Sequence, residues 1–431
     1  MPSREFYLNA DFDLSLRGRP SLLETSDPTF VHEMAWHFLF AGGSGDSLIV
    51  HRPLPEDFLE YLRGKGLGRD LPRLTVHPGF DPESEFTPFG WNAHAESLAQ
   101  RYSRPPAHPE PPAVKTANSR AFGLELEREW GRIKGLHRPG GPEGRGDGEG
   151  SPEGYGSLFA SLEGLESFLR GRTEPGGWVV KGDHGHAGTA NRRVPSGMLP
   201  EESRKALADL LAGHGRVVAE PWDERLMDLS VNFTVEKGGS LRDFRGHELL
   251  NSRDGAFLGV KIHPSRLPPD PWREELSASA AFAAMTLDAL GYSGPVSVDA
   301  YVRATLQGPR LRPLVDVNAR HSMALPAHGL ARRLPGKSLL WMWAKPRKLD
   351  LPADYAGLDA RLGPLAFQAA TGLGILAASP LRASDRSQEG TGAGRRPDAA
   401  RPKRVGFLFS AADEGDLRRL QAGFAQALGR G

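Results

Sequence analysis

The chain has 431 residues, which exceeds the length at which a single hydrophobic core usually stops growing, so we expect two or three domains. Its 54 Lys and Arg residues nearly balance its 53 Asp and Glu residues, which gives no general electrostatic reason to expect nucleic acid or an anionic membrane as a partner. The lack of cysteine excludes disulfides, thiolate metal sites and a cysteine nucleophile. No segment approaches the roughly 20 apolar residues that span a bilayer, and the first residues have no signal-peptide core, so a soluble cytoplasmic protein is expected.

The first part of the chain, residues 1–112, has the rhythm of alternating strands and helices. Short apolar runs at residues 6–8, 47–50 and 74–76 predict strands, and residues 56–63 between them predict a helix. The part ends in PPAHPEPP, which predicts a stiff connector because proline lacks a backbone donor.

A helix is predicted next, with Asn118 or Ser119 as its N-cap. Residues 137–156 follow, and they consist almost entirely of Gly, Pro and charged residues. This composition cannot bury enough apolar surface to offset its conformational entropy, so it predicts a disordered insertion.

A lysine and a glycine-rich loop form the next informative segment, WVVKGDHGHAGTANRRV at residues 178–194. The apolar strand delivers Lys181 at its end, and the glycines that follow allow backbone N–H groups to approach a phosphate closely. A plain strand-turn-strand is the alternative interpretation. His184 and His186 are either metal ligands, donors to phosphate or ordinary loop residues.

A second pair of predicted strands covers residues 217–219 and 229–235. The first of them leads into Glu220, Pro221 and Trp222, an acidic, rigid and aromatic sequence that is typical of a hinge between two sheets. A purine held there would find backbone amides and a carboxylate.

The strongest signal is a predicted β-hairpin at residues 295–323, which follows a clear helix at residues 274–291. Period-2 alternation places the residues of each strand on two faces, and Gly308-Pro309 favours the turn between the strands. The expected apolar face carries Val296, Val298, Ala300, Val302, Val315, Val317 and Ala319. The expected polar face carries Ser297, Asp299, Tyr301, Arg303, Leu314, Asp316, Asn318 and Arg320. Two carboxylates, an amide and a guanidinium on one face suit Mg²⁺ and a phosphate chain, although a hairpin with a solvated polar face is the alternative.

Residues 383–403 predict a second disordered linker, which precedes a terminal strand and helix.

Taken in order, these segments resemble the ATP-grasp superfamily, in particular peptide-ligase-like members with an N-terminal pre-ATP-grasp domain. The resemblance is good over residues 114–325 and looser over residues 1–112. It implies an α/β (α+β) fold in which two α+β subdomains clasp a nucleotide, preceded by a Rossmann-like domain. The implied division is a pre-ATP-grasp domain at 1–112, an ATP-grasp domain at 113–345 with its hinge near 220–223, and a C-terminal region at 346–431.

The resemblance also implies site residues. Phosphate contacts fall on Arg120, Lys181, Gly185, His186 and Gly188, and adenine contacts fall on Glu220, Pro221 and Trp222. The ribose contact falls on Asp228 or Glu224, and the ligands of Mg²⁺ or Mn²⁺ are Asp299, Asp316 and Asn318. Arg320 and Lys261 would be the catalytic residues that stabilise developing negative charge.

The activity that the resemblance implies is an ATP-dependent carboxylate–amine ligase. A small-molecule or peptide carboxylate would be activated as an acylphosphate and captured by an amine, with release of ADP and phosphate. One alternative is a regulatory ATP-binding protein without turnover, because Arg120 stands where relatives usually carry lysine. Another is a metal-dependent hydrolase that uses His184, His186, Asp299, Asp316 and His321. Neither nucleic acid nor a membrane is an expected partner, and a homodimer is left open.

Overall fold

The computed structural model describes residues 3–18, 29–103, 105, 107–135, 155–185, 190–197, 199–252, 255–382 and 401–429. Most of the two predicted linkers, 137–156 and 383–403, therefore lies outside the described residues. Tyr155, Gly156 and residues 401–403 are the exceptions. Within the described part of the chain, no helix is long and apolar enough to cross a membrane.

The helices alternate with strands along most of the chain. They are α1 (Phe12–Ser15), α2 (Thr29–His37), α3 (Glu56–Gly64), α4 (Ala93–Ala99), α5 (Pro111–Ala117), α6 (Arg120–Ile133), α7 (Leu162–Arg170), α8 (Glu201–His214), α9 (Arg273–Ala289), α10 (Leu325–Arg333), α11 (Tyr355–Leu362) and α12 (Glu414–Leu428).

The strands of the described residues form three sheets, which we call the N-terminal, small and central sheets. The N-terminal sheet contains β1 (Arg4–Tyr7), β2 (Ser47–Val50), β3 (Arg73–Val76) and β4 (Glu85–Pro88). The small sheet contains β5 (Ser157–Phe159), β6 (Trp178–Gly182), β7 (Asn191–Val194) and β8 (Val217–Pro221). The central sheet contains β9 (Arg225–Val235), β10 (Leu241–Asn251), β11 (Phe257–Ile262), β12 (Gly294–Arg303), β13 (Arg310–Asn318), β14 (Ser338–Ala344), β15 (Gly374–Ala377) and β16 (Val405–Ala411).

The N-terminal sheet is parallel, with strand order β3-β2-β1-β4. The inner strand β2 is buried throughout, as expected where both faces of a parallel sheet are covered, whereas the edge strand β3 has no buried residue. The predicted rhythm of strands and helices is therefore present. The proline-rich tract is not entirely a connector, because Pro111 begins α5, where a missing N–H costs no helical hydrogen bond.

The small sheet is antiparallel, with order β5-β8-β6-β7, and it has a hydrophobic core of its own. Trp178 and Val180 of β6 pack in this core with Leu165 of α7 and Leu207 of α8. The sheet therefore presents the end of β6, where Lys181 lies, from a separately packed platform.

The central sheet is antiparallel, with order β13-β12-β9-β10-β11-β14-β16-β15. Helix α9 buries Leu276, Ala280, Ala283 and Leu287, as its spacing predicts, and Gly291 follows at φ +85°. Because β15 and β16 join this sheet, the region predicted to begin at residue 346 extends it.

Helix α10 docks directly onto the N-terminal part of the chain. The Arg332 guanidinium donates to the Ala41 carbonyl over 2.8 Å, and Arg333 donates to the carbonyls of Phe40 and Gly42. A Cβ added at Gly329 would lie only 1.6 Å from the Phe40 oxygen. The helix can approach this closely because residue 329 has no side chain.

Replacement of Gly329 by alanine tests this docking. Gly329→Ala should lower the free energy of unfolding by roughly 1–3 kcal/mol or more, because α10 must move away from Phe40. Urea unfolding measures the change. Gly213→Ala is the matched control, since residue 213 lies in α8 and a methyl group added there would have nothing within 4 Å; it should be neutral or stabilising by up to about 1 kcal/mol. Equal effects of the two substitutions would contradict the proposed contact.

Candidate functional site: a cleft over the central sheet

A cleft of about 460 Å³ lies where the three sheets meet. The predicted site residues that line it are Arg120, Lys181, Gly185, Trp222, Asp228, Asp299, Asp316, Asn318 and Arg320. Glu220, Pro221 and Lys261 do not line it, and His186 and Gly188 lie outside the described residues.

The predicted hairpin forms, and it brings its acidic residues together. Asp299 of β12 is directly opposite Asp316 of β13, and Ser297 is opposite Asn318. Directly opposite residues on antiparallel strands project from the same face. Both carboxylates and the amide therefore share the cleft face of the sheet, as the alternation predicts.

The predicted alternation is wrong at Leu314 and Val315. The pairing of β12 with β13 shifts between Asp299 and Tyr301, so β13 contains a bulge. Leu314, predicted on the polar face, is fully buried in the core, whereas Val315 lines the cleft. A bulge changes which residues face the cleft, and alternation alone cannot locate it.

The two facing carboxylates repel each other. Burial, together with the nearby charges of Asp316 and Asp228, raises the pKa of Asp299 from 3.8 to about 7, against the lowering effect of the Ser230 hydroxyl and the Arg320 guanidinium. A cation bound beside Asp299 would stabilise the ionised form of its carboxylate.

Helix α6 begins beside this pair and delivers Arg120 to it. Ser119 is the N-cap, since its hydroxyl accepts from the Phe122 amide over 3.1 Å. The Arg120 guanidinium donates to Asp316 Oδ2 and to the Gly182 carbonyl, each over 3.0 Å. Arg120 therefore connects the end of β6 to the two carboxylates. The sequence predicts that its guanidinium contacts a phosphate.

Lys181 enters from the small sheet at the end of β6. Its side chain is only 5% exposed, and its Nζ lies 2.9 Å from Oε1 of Glu220 on the neighbouring strand β8. Burial lowers the pKa of Lys181, and the Glu220 carboxylate opposes this effect. Glu220 thus holds the ammonium group at the cleft wall.

Glu220 does not line the cleft, and its contact with an adenine amino group stays a prediction. Its Oε2 accepts from Arg312 over 3.1 Å, so both oxygens are engaged by buried cations. Although burial would raise its pKa, Lys181 and Arg312 lower the pKa of Glu220 to about 2. Glu220 is therefore a positioning residue for Lys181.

Arg312 connects three parts of the site, and no pattern in the sequence indicated this role. Its guanidinium forms a bidentate pair with Glu127 of α6, contacts Glu220 of β8, and donates to the Tyr301 hydroxyl over 2.8 Å. All of these groups are buried. The network fixes α6, the small sheet and the central sheet relative to one another.

Trp222 is the part of the predicted hinge that does line the cleft. The guanidinium carbons of Arg193 and Arg225 lie 4.5 Å and 5.3 Å from the centre of its ring. Arg225 also pairs with Asp228 over 3.0 Å. Trp222 and Asp228 therefore share Arg225 as a neighbour, and both line the cleft.

Arg320 links the cleft to the N-terminal part of the chain. Its Nε donates to Asp13 Oδ1 over 3.1 Å, and its Nη2 donates to Asn318 Oδ1 over 3.1 Å. The guanidinium carbon lies 4.9 Å from the centre of the Phe89 ring. Arg320 therefore lies beside the Asn318 side chain, as predicted. Its ion pair with Asp13 was not indicated by the sequence.

Lys261, predicted to be catalytic, lies on the other face of the central sheet. It is opposite Glu248 of β10, and the neighbouring residues His247 and Leu249 line the cleft. Side chains alternate between faces along a strand, so Glu248 and Lys261 point away from the cleft. The Lys261 ammonium pairs with Glu248 over 2.6 Å and with Glu414 of α12 over 2.9 Å. Its role here is therefore structural, and the catalytic assignment is wrong.

The cleft contains a donor set that suits Mg²⁺. Among the described residues, no group of three or more His, Asp and Glu side chains could hold a metal by itself. Mg²⁺ is usually bound through one or two carboxylates together with substrate phosphates. Asp299 and Asp316 provide those carboxylates, and Asn318 provides an amide oxygen, so the residues fit this cation.

The hydrolase alternative uses His184, His186, Asp299, Asp316 and His321. His186 lies outside the described residues, so the structure gives no position for it. His321 does not line the cleft.

Removing the charge of Asp299 should change how stability depends on pH. The pKa of Asp299 is higher in the folded state than in the unfolded chain, so its contribution to stability is lost as pH rises between about 4 and 7. Asp299→Asn should be more stable than wild type near about pH 8, by an amount on the order of 2 kcal/mol, and the difference should shrink near about pH 5. Thermal unfolding at both pH values measures this. Asp209→Asn, on the exposed surface of α8, is the control and should show no such dependence.

Removing the Arg312 guanidinium tests the buried network. Arg312→Met should lower the free energy of unfolding by roughly 3–5 kcal/mol, because Glu127 and Glu220 lose a buried cation. Adding Glu127→Gln should recover part of the loss. Arg63→Met removes an exposed pair with Glu56 and should cost no more than about 1 kcal/mol. A similarly small loss for Arg312→Met in urea unfolding would show that the network does not hold the elements together.

Comparisons with known proteins agree with this architecture. The sequence matches no family model and no curated protein. The structure is similar to N5-carboxyaminoimidazole ribonucleotide synthetase in an ADP complex, with a TM-score of 0.53 and 10% identity over 98% of this chain and 96% of that one. It is similar to phosphoribosylamine–glycine ligase from Thermotoga maritima, with a TM-score of 0.53 and 12% identity over 99% and 97% of the two chains. It is also similar to the biotin carboxylase domain of 2-oxoglutarate carboxylase from Hydrogenobacter thermophilus, with a TM-score of 0.52 and 12% identity over 99% and 90%. These are ATP-grasp enzymes, which confirms the predicted fold class: the chain has the ATP-grasp fold.

Proposed function

We propose that this protein is an ATP-dependent carboxylate–amine ligase that activates a carboxylate as an acylphosphate and releases ADP and phosphate. The observation that carries the proposal is the facing pair of Asp299 and Asp316, with Arg120 and Lys181 in the same cleft. Two carboxylates beside two cations are what a metal-bound polyphosphate requires.

Each charged residue has a distinct part in this proposal. Lys181, held by Glu220, provides a fixed positive charge for the phosphate chain. Arg120 provides a planar fork that can exchange its present partner, Asp316, for a phosphate oxygen. Arg320 lies next to Asn318 and would stabilise charge that develops on the reacting carboxylate. Trp222 offers an aromatic surface for the adenine, and Asp228 would accept from the ribose.

Mg²⁺ would be held by Asp299, Asp316 and Asn318. When bound, it would neutralise phosphate charge and polarise the phosphoryl oxygen. Its binding requires ionised carboxylates, so the raised pKa of Asp299 implies that Mg²⁺ affinity increases as pH rises through about 7.

The similar proteins support the general reaction. Their names describe a synthetase, a glycine ligase and a biotin carboxylase, and two of the structures contain ADP, one of them as MgADP with bicarbonate. We propose that the carboxylate substrate of this protein is a small molecule or a peptide, and that its second substrate is an amine. A homodimer and a cytoplasmic location stay predictions.

A nucleotide-binding protein without turnover is the second candidate. The ion pair of Arg120 with Asp316 favours it, because this arginine competes with a metal for one of the two carboxylates. In this case MgATP would stabilise the fold, and no combination of acid and amine would yield ADP.

Substitution of the acidic pair tests the ligase proposal. Asp299→Ala and Asp316→Ala should each abolish ADP formation, assayed with panels of carboxylic acids and amines, because each removes half of the metal-binding charge. Wild type should first be shown to gain stability with MgATP in thermal unfolding; ligand at about 100 times its Kd adds roughly 2.7 kcal/mol.

Asp209→Ala is the matched control for these variants, because its carboxylate lies on the exposed surface of α8. It should retain wild-type ADP formation. Near-normal ADP formation by Asp299→Ala or Asp316→Ala would rule out the metal assignment. Stabilisation by MgATP without turnover of any substrate pair would favour the second candidate.

A further inference from the structure

A second half of the cleft lies away from the acidic pair and is mostly apolar. Leu8 and Met34 line it from the N-terminal part of the chain, and Leu249, Phe257 and Trp343 line it from the central sheet. Leu8, Met34 and Trp343 are each less than a tenth exposed. This lining suits a hydrocarbon or aromatic body and does not suit a polyphosphate.

Arg404 is the exception in this apolar half. It immediately precedes β16, and it lines the cleft. Its guanidinium carbon lies 4.6 Å from the centre of the Trp343 ring. The side chain is partly buried, and this burial lowers the pKa of Arg404.

The partners of the other cleft arginines set Arg404 apart. Arg120 pairs with Asp316, Arg225 pairs with Asp228, and Arg320 pairs with Asp13. Within the described part of the chain, Arg404 forms no ion pair with a carboxylate. A partly buried guanidinium without an anion is costly, and a bound anion would offset that cost.

The position of Arg404 is also well defined. Trp343, on which it stacks, donates from Nε1 to Nδ1 of His37 over 3.1 Å and packs against Phe257 and Trp341. Burial, and then the charge of Arg404, lowers the pKa of His37 to about 3, so this imidazole is a neutral acceptor. The indole is therefore a rigid base for the guanidinium.

Arg404 is too far from the acidic pair to serve the same phosphate chain. Four strand spacings separate β12, which carries Asp299, from β14, which carries Trp343. At about 4.8 Å for each spacing, the two ends are roughly 20 Å apart across the sheet. An anion at Arg404 would belong to another ligand, or to the distal end of a long one.

We propose that the substrate bound in this half of the cleft has an apolar body and an anionic group, a carboxylate or a phosphate, which Arg404 binds. This assignment rests on the proposed ligase function, and it identifies the chemical class of one substrate. It also makes the C-terminal segment a source of specificity, since Arg404 reaches the cleft through the pairing of β16 with β14.

Three probes with one apolar chain test the proposal: octanoate, octyl phosphate and the neutral octanamide. Their dissociation constants are measured by calorimetry on the full chain. Wild type should bind octanoate, octyl phosphate or both on the order of 10- to 100-fold more tightly than octanamide, as expected for a charge-assisted hydrogen bond. If only one of the two anions binds more tightly, its charged group, carboxylate or phosphate, is the anionic group of the substrate.

Variants of Arg404 then assign the preference to its side chain. Arg404→Met should abolish the preference for the anion, and Arg404→Lys should keep part of it, because lysine retains the charge without the fork. Arg401→Met is the matched control, since Arg401 lies in the same segment and donates to the Leu351 carbonyl away from the cleft. It should bind like wild type. If Arg404→Met is unstable, the anion preference of Arg404→Lys is compared with that of wild type, and a weaker preference in the lysine variant supports the proposal.

Equal binding of all three probes by wild type, no binding of any of them, or a preference that persists in Arg404→Met would overturn the proposal. Thermal stabilisation by MgATP is measured in parallel and should be unchanged in Arg404→Met. If MgATP fails to stabilise wild type, the ligase function fails. If MgATP stabilises wild type and the anion preference is missing, only the assignment of Arg404 fails.

Discussion

The repulsion between Asp299 and Asp316 is the constraint on which the site depends. Strand pairing places the two carboxylates directly opposite each other on one face of the central sheet. The charges around them follow from that arrangement, because Arg120 reaches Asp316 and Arg320 reaches the adjacent Asn318. Burial, and then the charge of Asp316, nevertheless raises the pKa of Asp299 to about 7, so these cations do not fully offset the two effects. Maintaining such a pair costs stability, and under the proposed function this cost allows a cation to bind there.

The surrounding structure keeps these charges in place through buried ion pairs between distant elements. Arg312 joins Glu127 of α6 to Glu220 of β8, and Glu220 in turn holds Lys181. Such pairs contribute little net stability compared with apolar packing, but removal of one member leaves a buried charge without a partner. They therefore fix the separation between the small sheet and the central sheet, between which the proposed phosphate-binding and metal-binding groups lie. The apolar half of the cleft has no comparable network among the described residues, which is why Arg404 is distinctive there.

Local patterns were sufficient for much of the site. Alternation predicted the pairing of Asp299 with Asp316, capping chemistry predicted a helix that begins at Asn118 or Ser119, and the apolar strand before the glycines predicted the position of Lys181. Contacts that depend on distant partners were beyond the sequence: Arg312 meets residues 185 and 92 positions away. The bulge in β13 exchanged the environments of Leu314 and Val315. Lys261 was assigned wrongly because only the register of β11 with β10 shows which face it occupies. Arg404 follows a predicted linker, so nothing near it in sequence indicated a cleft.

A crystal structure with Mg²⁺ and a non-hydrolysable ATP analogue would decide whether this cleft is the nucleotide site. We expect Mg²⁺ in contact with Asp299 and Asp316, a phosphate within hydrogen-bond distance of Lys181, and the adenine against Trp222. We also expect Arg120 to shift from Asp316 towards a phosphate oxygen. A nucleotide bound outside this cleft, or a metal held by other residues while Asp316 remains paired with Arg120, would contradict these assignments.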